Sequence, residues 1–315
     1  MTATGIAVPA VAAWDVVGVG VNAIDHLCTV DPFPTFDSKS TLAGYDCQPG
    51  GQVATALVAL ARWGCRTAYV GTFGDGPLAE LGRRSLVDED VDVSGSRCRD
   101  GVANQTAVIL VDRASGERTI LMHRPAALTL RPDELDRGLI ASARVLHLDG
   151  YDADAAYTAA TWARAAGVPV VVDVDTRVGP VERLLAVTDA VILSRPFACE
   201  LTGAREPADA LARLVTSTGA ALVAVTLGAE GAIAATAAGT FRAPGYAVRA
   251  VDTTGAGDVF HAGFIYGLLR GWPLERTLAF ANAAAALKCT RVGGRPGIPT
   301  LAAAAALVAE RGGIA

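Results

Sequence analysis

The stretch Val251-Asp-Thr-Thr-Gly-Ala-Gly-Asp-Val-Phe-His-Ala-Gly-Phe264 places three small residues, Gly255, Ala256 and Gly257, directly before an acid, Asp258, and then runs into an apolar, helix-like segment. A helix that opens on these small residues and continues to about Arg270 turns its free N–H groups toward one point. The helix dipole adds positive potential there, and the absence of bulky side chains lets an anion come close. An anion repels Asp258, so this carboxylate suits a general base that takes a proton while the amides stabilise developing negative charge. Phosphoryl transfer to an alcohol needs that pair of functions. In isolation the same residues also read as a glycine turn with an acid at a helix start. His261 follows on the same helical face and reads as a packed, hydrogen-bonded core histidine rather than a partner of Asp258.

Two other glycine patterns lead elsewhere. Gly18-Val-Gly20-Val-Asn22-Ala23 follows a strand and fits G-x-G-x-x-A, but Pro32 and Pro34 stand where the helix of a dinucleotide site should run. A phosphate loop needs Gly-Lys-Ser/Thr, and neither of the two lysines, Lys39 and Lys288, follows a glycine.

The elements that must position the 251–264 stretch are legible as an alternation. WDVVGVGV (14–21), TAYVG (67–71), VLHLDG (145–150), VPVVVDVD (168–175), AVILS (190–194) and ALVAVTLG (221–228) read as strands. Alanine-rich helical runs such as TALVALARW (55–63) and YTAATWARAAG (157–167) separate them. Strand, helix, strand at this spacing gives a parallel sheet covered on both faces, with ligands at the carboxyl ends of its strands. Residues 26–48 carry prolines without a helical period, and 102–123 read as a hairpin, AVILV and TILMH around the turn DRASGER. Together they predict a small β appendage that covers the strand ends as a lid. LAAAAALVA (301–309) reads as a terminal helix.

Composition sets outer limits. The chain has 315 residues, 51% of them hydrophobic and 19% charged, which supplies a large core and argues for one domain over 1–315 with the lid inserted in it. The charge balance, 27 basic against 32 acidic residues, includes no basic run, so neither nucleic acid nor an anionic membrane is expected as partner. Six dispersed cysteines without a C-x-x-C pair read as free thiols of a reducing compartment. With no basic leader and no run of about 18 apolar residues, a cytoplasmic location is expected.

Asp252-Thr-Thr-Gly-Ala-Gly-Asp258-Val-Phe-His-Ala-Gly matches the second signature of the ribokinase-like (PfkB) carbohydrate kinases, and the resemblance extends over nearly the whole chain. It implies a ribokinase-like three-layer α/β sandwich, a mostly parallel sheet with a small β-sheet lid, and a sugar kinase using ATP and Mg²⁺. Gly50-Gly51-Gln52-Val-Ala-Thr55 resembles the first signature, with Thr55 where the family usually has Asn. The resemblance makes Asp25 the acid that holds sugar hydroxyls, with Gly50, Gly51, Gln52 and Thr55 beside it; Gln105 faces either the sheet or the sugar. Arg177 belongs to a segment similar to D-x-N-x-R, here Asp173-Val-Asp175-Thr-Arg177. Thr226, Gly228 and Gly231 resemble the ATP-phosphate loop, and Asn282 lies at the adenine edge. Asp252 and Thr254 would hold a monovalent cation, K⁺. The N-x-x-E segment that orders Mg²⁺ in the family aligns with Ser194-Arg-Pro-Phe197, which leaves Asp173 or Asp175 to help hold that ion.

GGQVAT and KCTRVGGRPGIP look most like the sulfofructose kinase branch. Lys39 sits near where that branch has an anion-facing lysine, whereas its sulfonate-facing Asn and Arg align with Met122 and Gly150. His123 and Arg124 are further candidates for reading an anionic or hydroxylated substituent. The expected substrate is a ketohexose or related furanose, phosphorylated at a primary hydroxyl, with a homodimer formed through the lid. A nucleoside kinase of the same fold is the alternative and would want base-stacking residues on the lid, of which none is read in the hairpin. A non-catalytic sugar-sensing protein is the second alternative.

Overall fold

The computed structural model describes residues 4–310; the ends of the expected 1–315 domain, residues 1–3 and 311–315, lie outside it. Nine strands form the main sheet. In spatial order they are Gly239–Ala243, Ala232–Thr236, Leu222–Thr226, Ala190–Ser194, Val170–Asp173, Ala143–Leu148, Trp14–Val19, Thr67–Val70 and Val91–Asp92. All neighbours are parallel from Leu222–Thr226 to Val91–Asp92, and the two edge strands Ala232–Thr236 and Gly239–Ala243 continue antiparallel.

The period of two explains the layers. Val16, Val145, Val171, Ile192 and Ala224 turn to one face and pack under the helices Gln52–Arg62, Ala256–Leu269 and Leu274–Lys288. Their neighbours Val17, Leu146, Val172, Val191 and Val223 turn to the other face, under Ala153–Ala165 and Pro207–Thr218. Nearly all of these residues are fully buried, which is why the strands read as continuous apolar runs. The dinucleotide-like Gly18–Ala23 pattern leads to no helix: strand Trp14–Val19 passes directly into strand Ala23–Val30.

A second sheet of four strands, ordered Gly44–Gly50, Ala23–Val30, Thr106–Asp112 and Arg118–His123, makes up the appendage. Ala23–Val30 and Thr106–Asp112 run parallel, and the outer pairs are antiparallel. Leu27, Ala107, Ile109 and Val111 form a small core on its inner face, with Val292 of the main body packed against it. The chain order of the main sheet reverses between Trp14–Val19 and Ala143–Leu148, so a crevice opens past the carboxyl ends of these two strands. Asp149 closes its floor by accepting the Val21 N–H at 2.6 Å.

Candidate active site

Four loops meet beyond the strand ends. The helix Ala256–Leu269 begins where the opening stretch predicts, and Gly255 before it adopts φ 78°. A Cβ at Gly255 would come within 2.7 Å of the Gly294 Cα, so this glycine is required by both conformation and space. A Cβ at Gly257, by contrast, would meet nothing within 4 Å. The room above Gly257 is therefore open to a ligand, and the first-turn amides of a 14-residue helix face it.

Asp258 lies in that first turn. Burial first, and then the nearby Asp173 carboxylate, push its pKa well above the usual carboxylate range. Asp173 is pushed up in the same direction by burial and by the carboxylates of Asp175 and Asp149. Its Oδ2 has no hydrogen-bond partner in the protein, although His261 Nδ1 stands 3.3 Å away. Such a like-charge group with an orphaned oxygen fits a divalent cation arriving with nucleotide phosphates. Mg²⁺ would neutralise phosphate charge there, with Asp173 and Asp175 the residues to hold it. Where the family's N-x-x-E would place a carboxylate, Phe197 is 2% exposed and packs in the core, while Arg195 bonds the Leu227 carbonyl and Glu230.

His261 behaves as a core residue, with Nδ1 2.8 Å from the Gly257 carbonyl and Nε2 3.2 Å from that of Ile192. Burial lowers its pKa.

The sugar-side candidates gather under the four-stranded sheet. Asp25 is buried, and its carboxylate has no hydrogen-bond partner among the described residues. Burial raises its pKa to about 6, against the pull of the Arg295 guanidinium. Gly50 lies so close to this carboxylate that any side chain at 50 would overlap it. Gly51 precedes the helix Gln52–Arg62 at φ 94°. Gln52 Oε1, Thr55 Oγ1 and Gln105 Oε1 are buried without a partner among the described residues, as is Thr254 Oγ1. Buried polar atoms are nearly always bonded, so this grouping marks a surface shaped for a polar ligand. Thr55 faces Gly294, which in turn packs on Gly255, so sugar-side and phosphate-side loops touch.

On the nucleotide side, Thr226 ends its strand and a 3₁₀ turn, Gly228–Glu230, follows. Gly228 and Gly231 take φ 64° and 95°, and a side chain at Gly231 would run into the Ala243 carbonyl. The Asn282 amide donates to the Ala243 and Pro244 carbonyls, which fixes the loop after the edge strand. Arg177 is engaged by Glu182 at 2.5 Å on the surface. Lys39 lies in an exposed irregular loop. Arg124 is spent on Asp152, and His123 is exposed on the strand's outward side, opposite Thr106.

Two residues near the site escape a reading of the sequence. Arg118 starts the last strand of the small sheet and donates to Thr253 Oγ1 at 3.0 Å, while the Thr253 N–H reaches the Gly116 carbonyl. The hairpin tip thus rests on the loop that leads into the anion site, with a guanidinium whose charge reaches Asp25, Asp175 and Asp258. The signal available was Gly116-Glu-Arg118 at the hairpin exit. Lys288 is fully buried beneath the same loop and donates to the Asp252 carbonyl at 2.8 Å. The expectation that the hairpin carries no apolar residue for a base is corrected: Ile120 and Met122 pair with the buried Ile109 and Ala107, which puts them on the body-facing side.

A sandwich of this topology, with a buried carboxylate at a helix start beneath a small sheet, is that of the ribokinase-like phosphotransferases. The chain belongs to the pfkB family of carbohydrate kinases, whose description matches residues 15–301. The ATP-dependent ribose-1-phosphate kinase of Halopiger xanaduensis is 35% identical over 289 residues, 91% of this chain and 95% of that protein. A fructokinase of Klebsiella pneumoniae is 33% identical over 276 residues, 80% and 89% of the respective chains. A structure from Agrobacterium tumefaciens, provisionally named a ribokinase, superposes with a TM-score of 0.86 at 28% identity, covering 95% of this chain and 98% of its own. This protein is accordingly a kinase acting on a sugar hydroxyl.

Proposed function

We propose that the protein transfers the γ-phosphoryl group of ATP to a primary hydroxyl of a small carbohydrate, a ketohexose or related furanose. The observation that carries this reading is the pairing of Asp258 with an open helix start at Gly257, next to a buried, unpartnered Asp25. Asp25 and the Gly50–Gln52 loop orient the sugar, with Thr55 and Gln105 as further polar contacts. Asp258 takes the hydroxyl proton as the sugar oxygen bonds to the γ-phosphorus and the bond to the ADP oxygen breaks. The amides of Gly255, Ala256 and Gly257 stabilise the charge that develops. Thr226, Gly228, Gly231 and Asn282 form the nucleotide side, and Mg²⁺ travels with ATP near Asp173 and Asp175. Lys39 and Arg177 would act on a substrate's outer substituents.

The relative from Halopiger makes furanose 1-phosphates part of the substrate question. Ile120 and Met122 favour a second reading, a nucleoside whose base lies under the lid. We place the enzyme in the cytoplasm as a homodimer joined through the small sheet. All six cysteines are free, and among the described residues no helix is long and apolar enough to cross a membrane.

The test is ADP release with Mg-ATP across ketoses, aldoses, furanose 1-phosphates, sulfofructose and nucleosides. Turnover is expected on one class, and Asp258→Asn should lower kcat on the order of 10²- to 10⁴-fold with sugar binding nearly intact. Near-normal turnover in that variant removes Asp258 as the base. Silence across the panel, with a sugar still raising the melting temperature, turns the reading to a sugar sensor.

A further inference from the structure

The resemblance implies a potassium ion at Asp252 and Thr254, and the loop there can be tested for the oxygens such an ion would need. Asp252 Oδ1 accepts the Thr254 N–H at 2.8 Å and Oδ2 accepts the Gly293 N–H at 2.7 Å. The Cys289 carbonyl accepts from Val251 and Asp252. The Lys288 carbonyl accepts from Arg291 and is closely covered by Gly297, where no side chain would fit. The Asp252 carbonyl accepts the Lys288 ammonium. Both carboxylate oxygens of Asp252 and the carbonyls of Asp252, Lys288 and Cys289 are thus matched by N–H donors, one of them a positive charge, while Thr254 Oγ1 is buried without a partner among the described residues.

We infer that the buried ammonium of Lys288 occupies the role of the monovalent cation, so that phosphoryl transfer by this chain needs no K⁺. The inference rests on the kinase reading of the same site. Lys288 is the last residue of the helix Leu274–Lys288 and is 0% exposed. A lone ammonium there would be strongly disfavoured. Burial pushes its pKa down, and the Asp252 carboxylate holds it up. Asp252 lies three residues before Gly255, and its carbonyl and carboxylate are both pinned, so the cation fixes the backbone that presents the anion-binding amides. Lys288 is therefore a positioning residue, without contact to the transferred group. A tethered charge also fills the space once, without competition between ions in solution.

The experiment begins without sugar or ATP. Melting temperatures are measured in K⁺, Na⁺ and tetramethylammonium chlorides at one ionic strength, and Rb⁺ binding is followed by equilibrium dialysis. Wild type is expected to show equal melting in the three salts and no stoichiometric Rb⁺. Lys288→Ala is expected to melt lower, to bind Rb⁺ and to be stabilised selectively by K⁺. Lys288→Met, which keeps the stem and loses the charge, serves if the alanine variant does not fold. With substrate, kcat of either variant should fall about 10- to 100-fold in tetramethylammonium and recover in K⁺, with sugar KM little changed. Wild type that binds Rb⁺, or whose kcat rises several-fold with K⁺ over tetramethylammonium, overturns the inference. A protein that turns over no substrate but shows the expected salt-indifferent melting would leave Lys288 in this role and remove only the kinase reading.

Discussion

Asp25 shows how a buried carboxyl is held against its own preference. A carboxyl that is 7% exposed and raised to about 6 binds a proton more tightly in the folded chain than in the unfolded one, whose value is near 3.8. Between these two values the folded state holds more protons. Stability attributable to Asp25 is therefore full at low pH and is lost as pH rises through about 6. At pH 7.5 the buried charge costs at most about 3 kcal/mol, from two pKa units at about 1.4 kcal/mol each. Asn resembles the protonated acid in shape. Asp25→Asn is expected to melt close to wild type at pH 4.5 and above it at pH 7.5, while losing sugar affinity in calorimetry. A melting difference that stays constant between the two pH values would show that the charge is not what the fold resists. If Asp25 holds the sugar as proposed, hydroxyls donating to the carboxylate should recover part of this cost on binding.

At the scale of the element, the helix Ala256–Leu269 separates what folding needs from what a ligand needs. Gly255 is fixed by φ 78° and by its contact with Gly294, but Gly257 has ordinary helical conformation, and a Cβ there would meet nothing within 4 Å. Alanine in a helix is favoured over glycine by up to about 1 kcal/mol. Gly257→Ala should therefore leave the melting temperature unchanged or slightly higher, yet cut kcat on the order of 10-fold or more because its methyl enters the anion's space. A variant of normal activity would mean that the anion approaches from elsewhere. That helix was legible because its constraint is local: small residues, an acid and an apolar run stand in one stretch. The six longer parallel strands were legible for a similar reason, each a largely apolar run of four to six residues, whereas Val91–Asp92 is only two residues long. Ala232–Thr236 and Gly239–Ala243 were not, since AIAAT and GTFRA carry little β signal and become strands through pairing, the first with Leu222–Thr226 and the second with the first. Arg118 and Lys288 escaped because their meaning lies in loops more than thirty residues away in the chain. A lysine ending an alanine-rich helix gives no local sign that it bonds the Asp252 carbonyl.

At the scale of the whole molecule, the small sheet has one covered face and one bare one. Leu27, Ala107, Ile109 and Val111 point to the body, so their neighbours Tyr45, Val108 and Leu121 point away, and these are 62%, 39% and 58% exposed. Polar side chains normally fill such positions on a sheet with a solvated face. A cluster of this kind marks an interaction surface, and a second copy of the same sheet offers matching apolar residues. The hairpin tip already touches the 251–253 loop through Gly116 and Arg118, so whatever steadies the sheet also steadies the entrance to the anion site. Wild type is expected to sediment as a dimer at micromolar concentration, and Leu121→Glu, which places like charges opposite each other across a two-fold interface, as a monomer. The monomer should keep Asp258 chemistry, with kcat within a few-fold, and show a raised sugar KM as the sheet loses its support. A wild-type monomer of full activity would assign the bare face to some other partner and leave the sheet's docking to the hairpin tip alone.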